Sequence, residues 1–313
     1  MARVFCIGGA HLDRTARCIA GFRPGASNPV SVTAAPGGAA LNTAFNLRRL
    51  GSETELISAI GRDSAGQSIV RAMDALGMDS AGMIYPAGRT TASYTAILEP
   101  GGDLVAGLAD MDIYSDLISA DIEAALDRLA EAPKPGDWAF LDANLPETLL
   151  AGLSVRLRDR GLTLAAAGIS PAKIGRFSRI LESLHYLFCN RAEIAALTGA
   201  ESATDDDASV SAAAGALSRE QQLTLFVTGG AEGVSVFARG TASDFPAVAA
   251  RVSDVNGAGD AFAGGALHAL MAGMPLPQAV SFGHAAAGLT VEAAGATRPD
   301  LSYDRVDARL GGA

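Results

Sequence analysis

Trp138-Ala139-Phe140-Leu141-Asp142 reads as a buried strand. A helical run follows at residues 147–160, and Leu162-Thr163-Leu164-Ala165-Ala166-Ala167 then reads as a second strand. A helix is expected before the first strand, over 119–132. A further helix at 172–183 and a strand at Tyr186–Cys189 are expected after the second. Strands that alternate with helices of this length need crossover connections, so the chain is read as α/β, with a mostly parallel sheet covered on both faces. In such folds ligands sit outside the carboxyl ends of the strands.

The same alternation extends in both directions. Val4–Ile7 is an apolar strand ending at Gly8-Gly9, and Pro36-Gly37-Gly38 opens a helix with Leu41, Ala44, Phe45, Leu47 and Leu50 at helical spacing before Gly51. A strand at Glu55–Ile60 and a helix at Ser64–Leu76 follow. Beyond the central units come strands at Leu223–Thr228 and Gly233–Ala238, then two alanine-rich helices after residue 259. Two stretches break the rhythm. Residues 11–35 are rich in Gly, Pro, Ser and Asn and read as irregular, whereas Ser93–Glu99 and Leu104–Ala109 flank Gly101-Gly102 as a hairpin. Residues 11–35 and 88–108 are expected to form a small β lid on a core made of 1–10, 36–87 and 109–313. Asp205-Asp206-Asp207 reads as a solvated loop.

Of 313 residues, 49% are hydrophobic and 19% charged, which is the composition of a globular protein. The net charge of −10 argues against duplex nucleic acid as a partner. Ala261 to Val291 carries no Asp, Glu, Lys or Arg, but Pro275 and Pro277 split it, so two buried helices rather than a membrane span are expected. Cys6, Cys18 and Cys189 are too few and too scattered for a disulfide framework. The N-terminus lacks a long signal-type apolar core, and a reducing cytoplasm is the expected setting. Lys134 and Lys173 are the only lysines, so no Walker-type Gly-x-x-x-x-Gly-Lys loop exists.

Chemistry concentrates in Asp254-Val255-Asn256-Gly257-Ala258-Gly259-Asp260-Ala261-Phe262-Ala263-Gly264-Gly265. Small residues at 257–259 let main-chain N–H groups converge at a helix N-terminus, a setting that favours an anion. Asp260 enters the same turn. A carboxylate beside an anion hole is what phosphoryl transfer to an alcohol requires: it accepts the hydroxyl proton while the amides of Gly257, Ala258 and Gly259 hold the transferring group.

That stretch resembles the C-terminal signature of the ribokinase family (PfkB-type carbohydrate kinases), Asp-Thr-Thr-Gly-Ala-Gly-Asp-x-Phe. Four more segments match family elements in order: Gly8-Gly9-Ala10-His11-Leu12-Asp13, Gly37-Gly38-Ala39-Ala40-Leu41-Asn42, Asn190-Arg191-Ala192-Glu193 and Thr228-Gly229-Gly230-Ala231-Glu232-Gly233. The resemblance implies a ribokinase-like fold with a small β-sheet lid, ATP and Mg2+ as cofactors and K+ as a further cation. A lid with one open face would be covered by a partner lid, so a homodimer through the lid is expected. Within the family, several segments look like the pseudouridine kinases. They are Ser27-Asn28-Pro29, Asn42 with Asn46-Leu47, Thr91-Ala92-Ser93-Tyr94, Asp110-Met111-Asp112-Ile113-Tyr114, Asp142-Ala143-Asn144-Leu145-Pro146, and Ser170 with Lys173. The chain departs from that pattern at three places. Ala167-Gly168-Ile169-Ser170 stands where Asp-Pro-Val-Ser is usual, Asn256 replaces a threonine, and His284 replaces an asparagine.

The resemblance implies these roles. Asp13, Gly38 and Asn42 hold the ribose; Asn28, Ser93, Asp112, Asn144 and Lys173 complete the substrate side. Asn46 reads equally as a structural cap, and Asn28 equally as a cap of its own loop. Asn190, Thr228, Gly230, Gly233, Asn256, Gly257, Gly259 and His284 serve the nucleotide. Glu193 with Asn190 organises magnesium through water, and Asp254 frames a monovalent cation. The favoured reaction is ATP-dependent phosphorylation of the 5′-hydroxyl of pseudouridine. The alternatives are a kinase for another nucleoside or a free sugar, and a non-catalytic nucleotide- or sugar-binding regulator.

Overall fold

The computed structural model describes residues 2–200 and 207–311. Its strands are β1 (Val4–Ile7), β2 (His11–Cys18), β3 (Val30–Gly37), β4 (Thr54–Ala59), β5 (Met83–Ile84), β6 (Ser93–Leu98), β7 (Leu104–Asp110), β8 (Trp138–Asp142), β9 (Thr163–Ala167), β10 (Tyr186–Asn190), β11 (Thr224–Thr228), β12 (Val234–Ala238) and β13 (Thr241–Phe245). Its helices are α1 (Ala39–Arg49), α2 (Ser64–Asp74), α3 (Asp112–Ser115), α4 (Ser119–Arg128), α5 (Glu147–Asp159), α6 (Pro171–Ile174), α7 (Arg191–Thr198), α8 (Asp207–Gln221), α9 (Ala258–Met271), α10 (Leu276–Val291) and α11 (Tyr303–Gly311).

Nine strands form one sheet in the order β13-β12-β11-β10-β9-β8-β1-β4-β5. It is parallel from β11 to β5, and β12 and β13 add an antiparallel edge. The central strands are apolar throughout because helices cover both faces: Phe5, Ile7, Leu141 and Leu187 belong to one core cluster, and Cys6, Phe140, Phe188 and Phe226 to the other. Since β1, β8, β9, β10 and β11 run in one direction, Gly8-Gly9, Asp142–Asn144, Gly168, Asn190 and Thr228 all fall at one edge. The uncharged stretch from residue 261 resolves into α9 and α10. These helices pack closely because Gly265 leaves room for Ala286, and Gly283 for Phe262.

Residues 11–35 are not irregular. β2 and β3 pair antiparallel over their full length, β2 pairs parallel with β6, and β6 pairs antiparallel with β7 to give a four-stranded sheet, β3-β2-β6-β7. The Gly- and Pro-rich signal belongs to the connecting loop, residues 19–29. Flanking alternation such as Val30-Ser31-Val32-Thr33 carries weak pattern information because β3 is exposed along most of its length.

The helix expected over 172–183 is broken into α6 and two 3₁₀ turns, Gly175–Phe177 and Leu181–Ser183. Ile174, Phe177 and Ile180 are fully buried at a spacing of three, the period of a 3₁₀ helix, and Gly175 weakens the α alternative. The helix expected to reach residue 132 stops at Arg128. Asp205 and Asp206 lie outside the described residues, and Asp207 opens α8 rather than continuing a loop. No helix among the described residues is long and apolar enough to cross a membrane.

Candidate active site

Asp142 organises the centre of the sheet edge. It is fully buried, and its Oδ2 accepts the amides of Gly9 (2.8 Å) and Ala40 (3.0 Å), while Oδ1 accepts the Asn144 amide (2.8 Å). One carboxylate therefore ties the β1–β2 turn, the start of α1 and the end of β8 together. Gly8 has no alternative here, because a Cβ would occupy the space of the Asp142 carboxylate. Tyr114 adds a second clamp: its hydroxyl donates to the Ala10 carbonyl (2.7 Å) and accepts the Ala10 amide (2.9 Å).

This frame delivers Asp13 and Asn42. Asp13 lies near the start of β2, where its carboxylate is 3.1 Å from His11 Nε2 and remains about a third exposed. A Cβ on Gly37 would collide with the Asp13 carboxylate. Gly38 caps α1 at φ 112°, where a side chain would strike the Gly9 carbonyl. Asn42, one turn into α1, is buried and donates through Nδ2 to Asp260 Oδ2 at 2.8 Å.

Asp260 stands in the first turn of α9. The αL conformation of Gly257 (φ 73°) starts the helix, and a Cβ there would strike the Ala296 carbonyl. The amides of Gly259 and Asp260 find no acceptor among the described residues, and a Cβ on Gly259 would meet only open space. The Ala258 amide, expected to be a free donor, instead donates to the Val255 carbonyl (3.3 Å), so the open donors of this helix start include Gly259 and Asp260. Asp260 keeps intermediate exposure, yet its depth in the protein governs its chemistry. Desolvation pushes its carboxyl up to about 7, with Asp142 and Asp13 adding to the rise and Asn42 and His11 opposing it. A carboxylate that titrates near neutrality is matched to general-base work.

Asn144 and Lys173 meet beyond the Gly9 turn, where Lys173 Nζ donates to Asn144 Oδ1 at 2.8 Å. Burial and the neighbouring Arg176 lower the Lys173 ammonium, against the pull of Asp142. Arg176 itself donates to the carbonyls of Ala143 (2.9 Å) and Asn144 (3.0 Å). Asn28 is far from this group in role: its Nδ2 donates to the carbonyls of Arg23 and Ala26, and its Oδ1 accepts the Arg23 amide. Its amide is consumed in its own loop, so the cap reading holds and base contact does not follow. Ser93 begins β6 opposite Leu12, and Asp112 is exposed at the start of α3.

On the other flank, Asn190 and Glu193 form a reciprocal capping box at α7, with Glu193 N to Asn190 Oδ1 and Asn190 N to Glu193 Oε2 both at 2.9 Å. Burial raises the Glu193 carboxyl, and Gly168 lacks the Cβ that would crowd it. Thr228 sits beside Asn190 in the β10–β11 register and donates to the Cys189 carbonyl. Gly230 (φ 61°) and Gly233 (φ 103°) frame a 3₁₀ turn, and Gly233 lies so close to the Phe245 carbonyl that no side chain fits. Both Asp254 oxygens accept backbone amides, from Asn256 and Gly295 (3.0 Å each), so this side chain clamps the α9 entry to the segment after α10. His284 is buried with its ring against Phe262, and its Nε2 has no partner among the described residues. A cavity of about 370 Å³ opens beside Gly229 and Gly233, along Arg191, Phe237 and Phe245, and does not include Asp260. Converging chemistry rather than cavity size marks the site.

The pfkB family carbohydrate kinase model matches residues 1–302. The chain belongs to that family. It is therefore a carbohydrate kinase, a phosphotransferase acting on an alcohol group. This kinase is 28% identical to the pseudouridine kinase of Escherichia coli over 305 residues, covering 97% of this chain and 95% of that one. It is 28% identical to the ribokinase of Haemophilus influenzae over 264 residues, covering 83% and 82%. Among solved structures, a carbohydrate kinase from Agrobacterium tumefaciens is 37% identical with a TM-score of 0.84, covering 99% of this chain and 97% of that one. A ribokinase from Thermotoga maritima shares the fold at 23% identity, with a TM-score of 0.85 and coverage of 99% and 100%. This kinase is thus ribokinase-like in fold, as its motifs implied.

The sequence reading of this kinase passed over His11, Tyr114, Arg176 and the organising role of Asp142. Asp142 had one legible signal: it ends a strand at the carboxyl edge and precedes Asn144 by two residues.

Proposed function

We propose that the chain transfers the γ-phosphoryl group of ATP to the 5′-hydroxyl of pseudouridine. The observation that carries the reaction type is the Asp260 carboxylate, raised to about 7, held by Asn42 and set in a turn with unpaired amides. Asp260 takes the hydroxyl proton as the alcohol oxygen attacks the γ-phosphorus, the bond to the β-phosphate oxygen breaks and ADP leaves, while the open amides of Gly259 and Asp260 face the anionic group. Asp13 and Asn42 orient the ribose. Burial around Asn42 and the small sheet keeps water from competing for the phosphoryl group.

The acceptor assignment is supported by segments scattered along the chain that look like pseudouridine kinases, and by 28% identity to one over nearly the whole length. Chemistry adds to this. The Lys173 ammonium keeps two N–H donors beyond its bond to Asn144, suited to the carbonyl edge of a pyrimidine. Thr228, Gly230, Gly233, Asn256 and His284 are assigned to the nucleotide side.

Magnesium suits Asn190 and Glu193. No three His, Cys, Asp or Glu side chains cluster among the described residues, so a cage of protein ligands is not formed. Glu193 instead offers a buried carboxylate whose only described partner is a backbone amide, fit for an outer-sphere role. A dication held there would supply charge neutralisation of the phosphates. Asp254, assigned to a monovalent cation, accepts one amide on each oxygen and keeps further lone pairs for such an ion.

The small sheet carries a further proposal, a homodimer through the lid. Val32 pairs with Ala16, Ala16 with Ile97 and Ile97 with Ala106, so one face carries an apolar row on which Val32 is 57% exposed. A phosphate-transfer assay over pseudouridine, uridine, other nucleosides, ribose and hexoses tests the substrate. Turnover of pseudouridine above the rest supports the assignment, and turnover of free sugars alone replaces the acceptor. Nucleotide binding without turnover of any acceptor overturns the enzymatic reading.

A further inference from the structure

His11 and Asp13 stand together on the first rungs of the small sheet. β2 pairs His11 with Gly37 and Asp13 with Ala35, and side chains two apart on a strand share a face. His11 is buried, and its Nε2 stands 3.1 Å from Asp13 Oδ1, while the Asp13 side chain remains partly exposed. Two glycines make room for this pair. A Cβ on Gly37 would enter the space of Asp13 Oδ2, and one on Gly38 would stand 3.1 Å from His11 Nδ1. The imidazole therefore holds the carboxylate from its buried side, and the rest of the carboxylate stays accessible.

A buried imidazole is costly unless it does something an apolar ring cannot. His11 Nδ1 has no hydrogen-bond partner among the described residues, a cost that a phenyl ring in the same place would not carry. What the imidazole has in return is Asp13, its one ion-pair contact among the described residues. Two lone pairs facing each other at 3.1 Å would repel, so Nε2 carries a proton and Asp13 Oδ1 faces it. An aspartate on an open strand samples several rotamers, and that freedom is lost when a ligand binds it. A contact that selects one rotamer beforehand removes the loss.

We propose that His11 is a positioning residue for the acceptor: its imidazole fixes the Asp13 carboxylate in the orientation that receives the ribose hydroxyls. One acceptor site of the carboxylate faces Nε2, and the remaining ones are presented to the substrate. His11 acts on acceptor binding through Asp13 and not by its own contact. The inference rests on Asp13 being a ribose ligand, as argued above.

The test is a double-mutant cycle between the two residues, read as KM and kcat at pH 8, above the Asp260 midpoint, with pseudouridine or whichever acceptor the substrate panel selects. His11→Phe keeps a ring in the space and removes the polar contact. Its acceptor KM rises about 10-fold, kcat stays within about threefold, and KM for ATP stays within about twofold. His11→Gln places an amide N–H at about the reach of Nε2 and keeps the acceptor KM within about threefold of the natural value. Should His11→Phe fail to fold, His11→Met fills the space with an adaptable apolar chain and takes its place. In an Asp13→Ala background, itself raised at least about 10-fold in acceptor KM, the His11 change adds less than about twofold, because the group it acts through is gone. A merely structural imidazole gives the opposite order, with the apolar replacement tolerated and Gln not. A normal acceptor KM in the apolar variant, or a full further loss on top of Asp13→Ala, overturns the proposal. Failure of the ribose reading looks different: Asp13→Ala alone would then leave the acceptor KM unchanged.

Discussion

Replacing Asp260 by asparagine separates what this residue does for catalysis from what it costs the fold. In the ligand-free protein burial lifts the carboxyl from 3.8 to about 7. The folded state therefore binds this proton more tightly than the unfolded chain does. The sign is the reverse of the usual carboxylate: the site is most favourable to folding at low pH, and that contribution is lost as pH rises from about 4 through about 7. Fully ionised at pH 8, a shift of this size corresponds to at most about 4 kcal/mol. Its partial exposure to solvent reduces the expected penalty to about 1–2 kcal/mol. The substituted amide would keep an acceptor for Asn42 Nδ2 and carry no charge. Asp260→Asn is therefore more stable than the natural protein by about 1–2 kcal/mol at pH 8 and equal to it near pH 4. With about 2.1 cal/mol/K of unfolding entropy per residue, this is a rise in Tm of about 2–3 °C at pH 8. Turnover falls by about 10²–10⁴. Paired thermal unfolding at both pH values and steady-state phosphate transfer measure the two effects. A variant no more stable at pH 8 than the natural protein would mean that the carboxylate is not held against its charge. Near-normal turnover would remove it as the base.

Other expectations follow from the same geometry. The pH profile of kcat/KM has an acidic limb near 7, because the base must be deprotonated in the free enzyme; a limb below pH 5 would contradict the desolvated setting. Gly259→Ala leaves Tm within about 1 °C but cuts kcat at least about 10-fold, since its Cβ enters only the space reserved for the transferring group. Gly257→Ala instead lowers stability by about 1–3 kcal/mol through its positive φ and the Ala296 carbonyl, as chemical denaturation would show. Val32→Glu places a charge in the exposed apolar row of β3 and yields a monomer by sedimentation; a dimer that persists in that variant moves the interface elsewhere.

The alternation that named the fold lies in short-range patterns: apolar strands such as Phe5–Ile7 and Phe140–Leu141 are apolar because helices cover them, and that demand is written locally. Likewise Gly257 to Asp260 announces its turn, since small residues before a helix admit few conformations. The small sheet was harder to read. β3 is exposed along most of its length, so neither face imposes a strong pattern, and the loop at 19–29 dominates the composition. The break of the 172–183 helix arose from the core, where Ile174, Phe177 and Ile180 are buried at a spacing of three.

Residues 254–265, read alone, determine that a carboxylate and main-chain donors share one helix start, because the turn is made of neighbours in the chain. What makes the Asp260 carboxyl titrate near 7 lies elsewhere in the chain. Its partner Asn42 is 218 positions away, Asp142 acts on it from β8, and burial in the folded chain desolvates it. A pKa is a property of surroundings, and surroundings are assembled by tertiary contacts that no local stretch of chain contains.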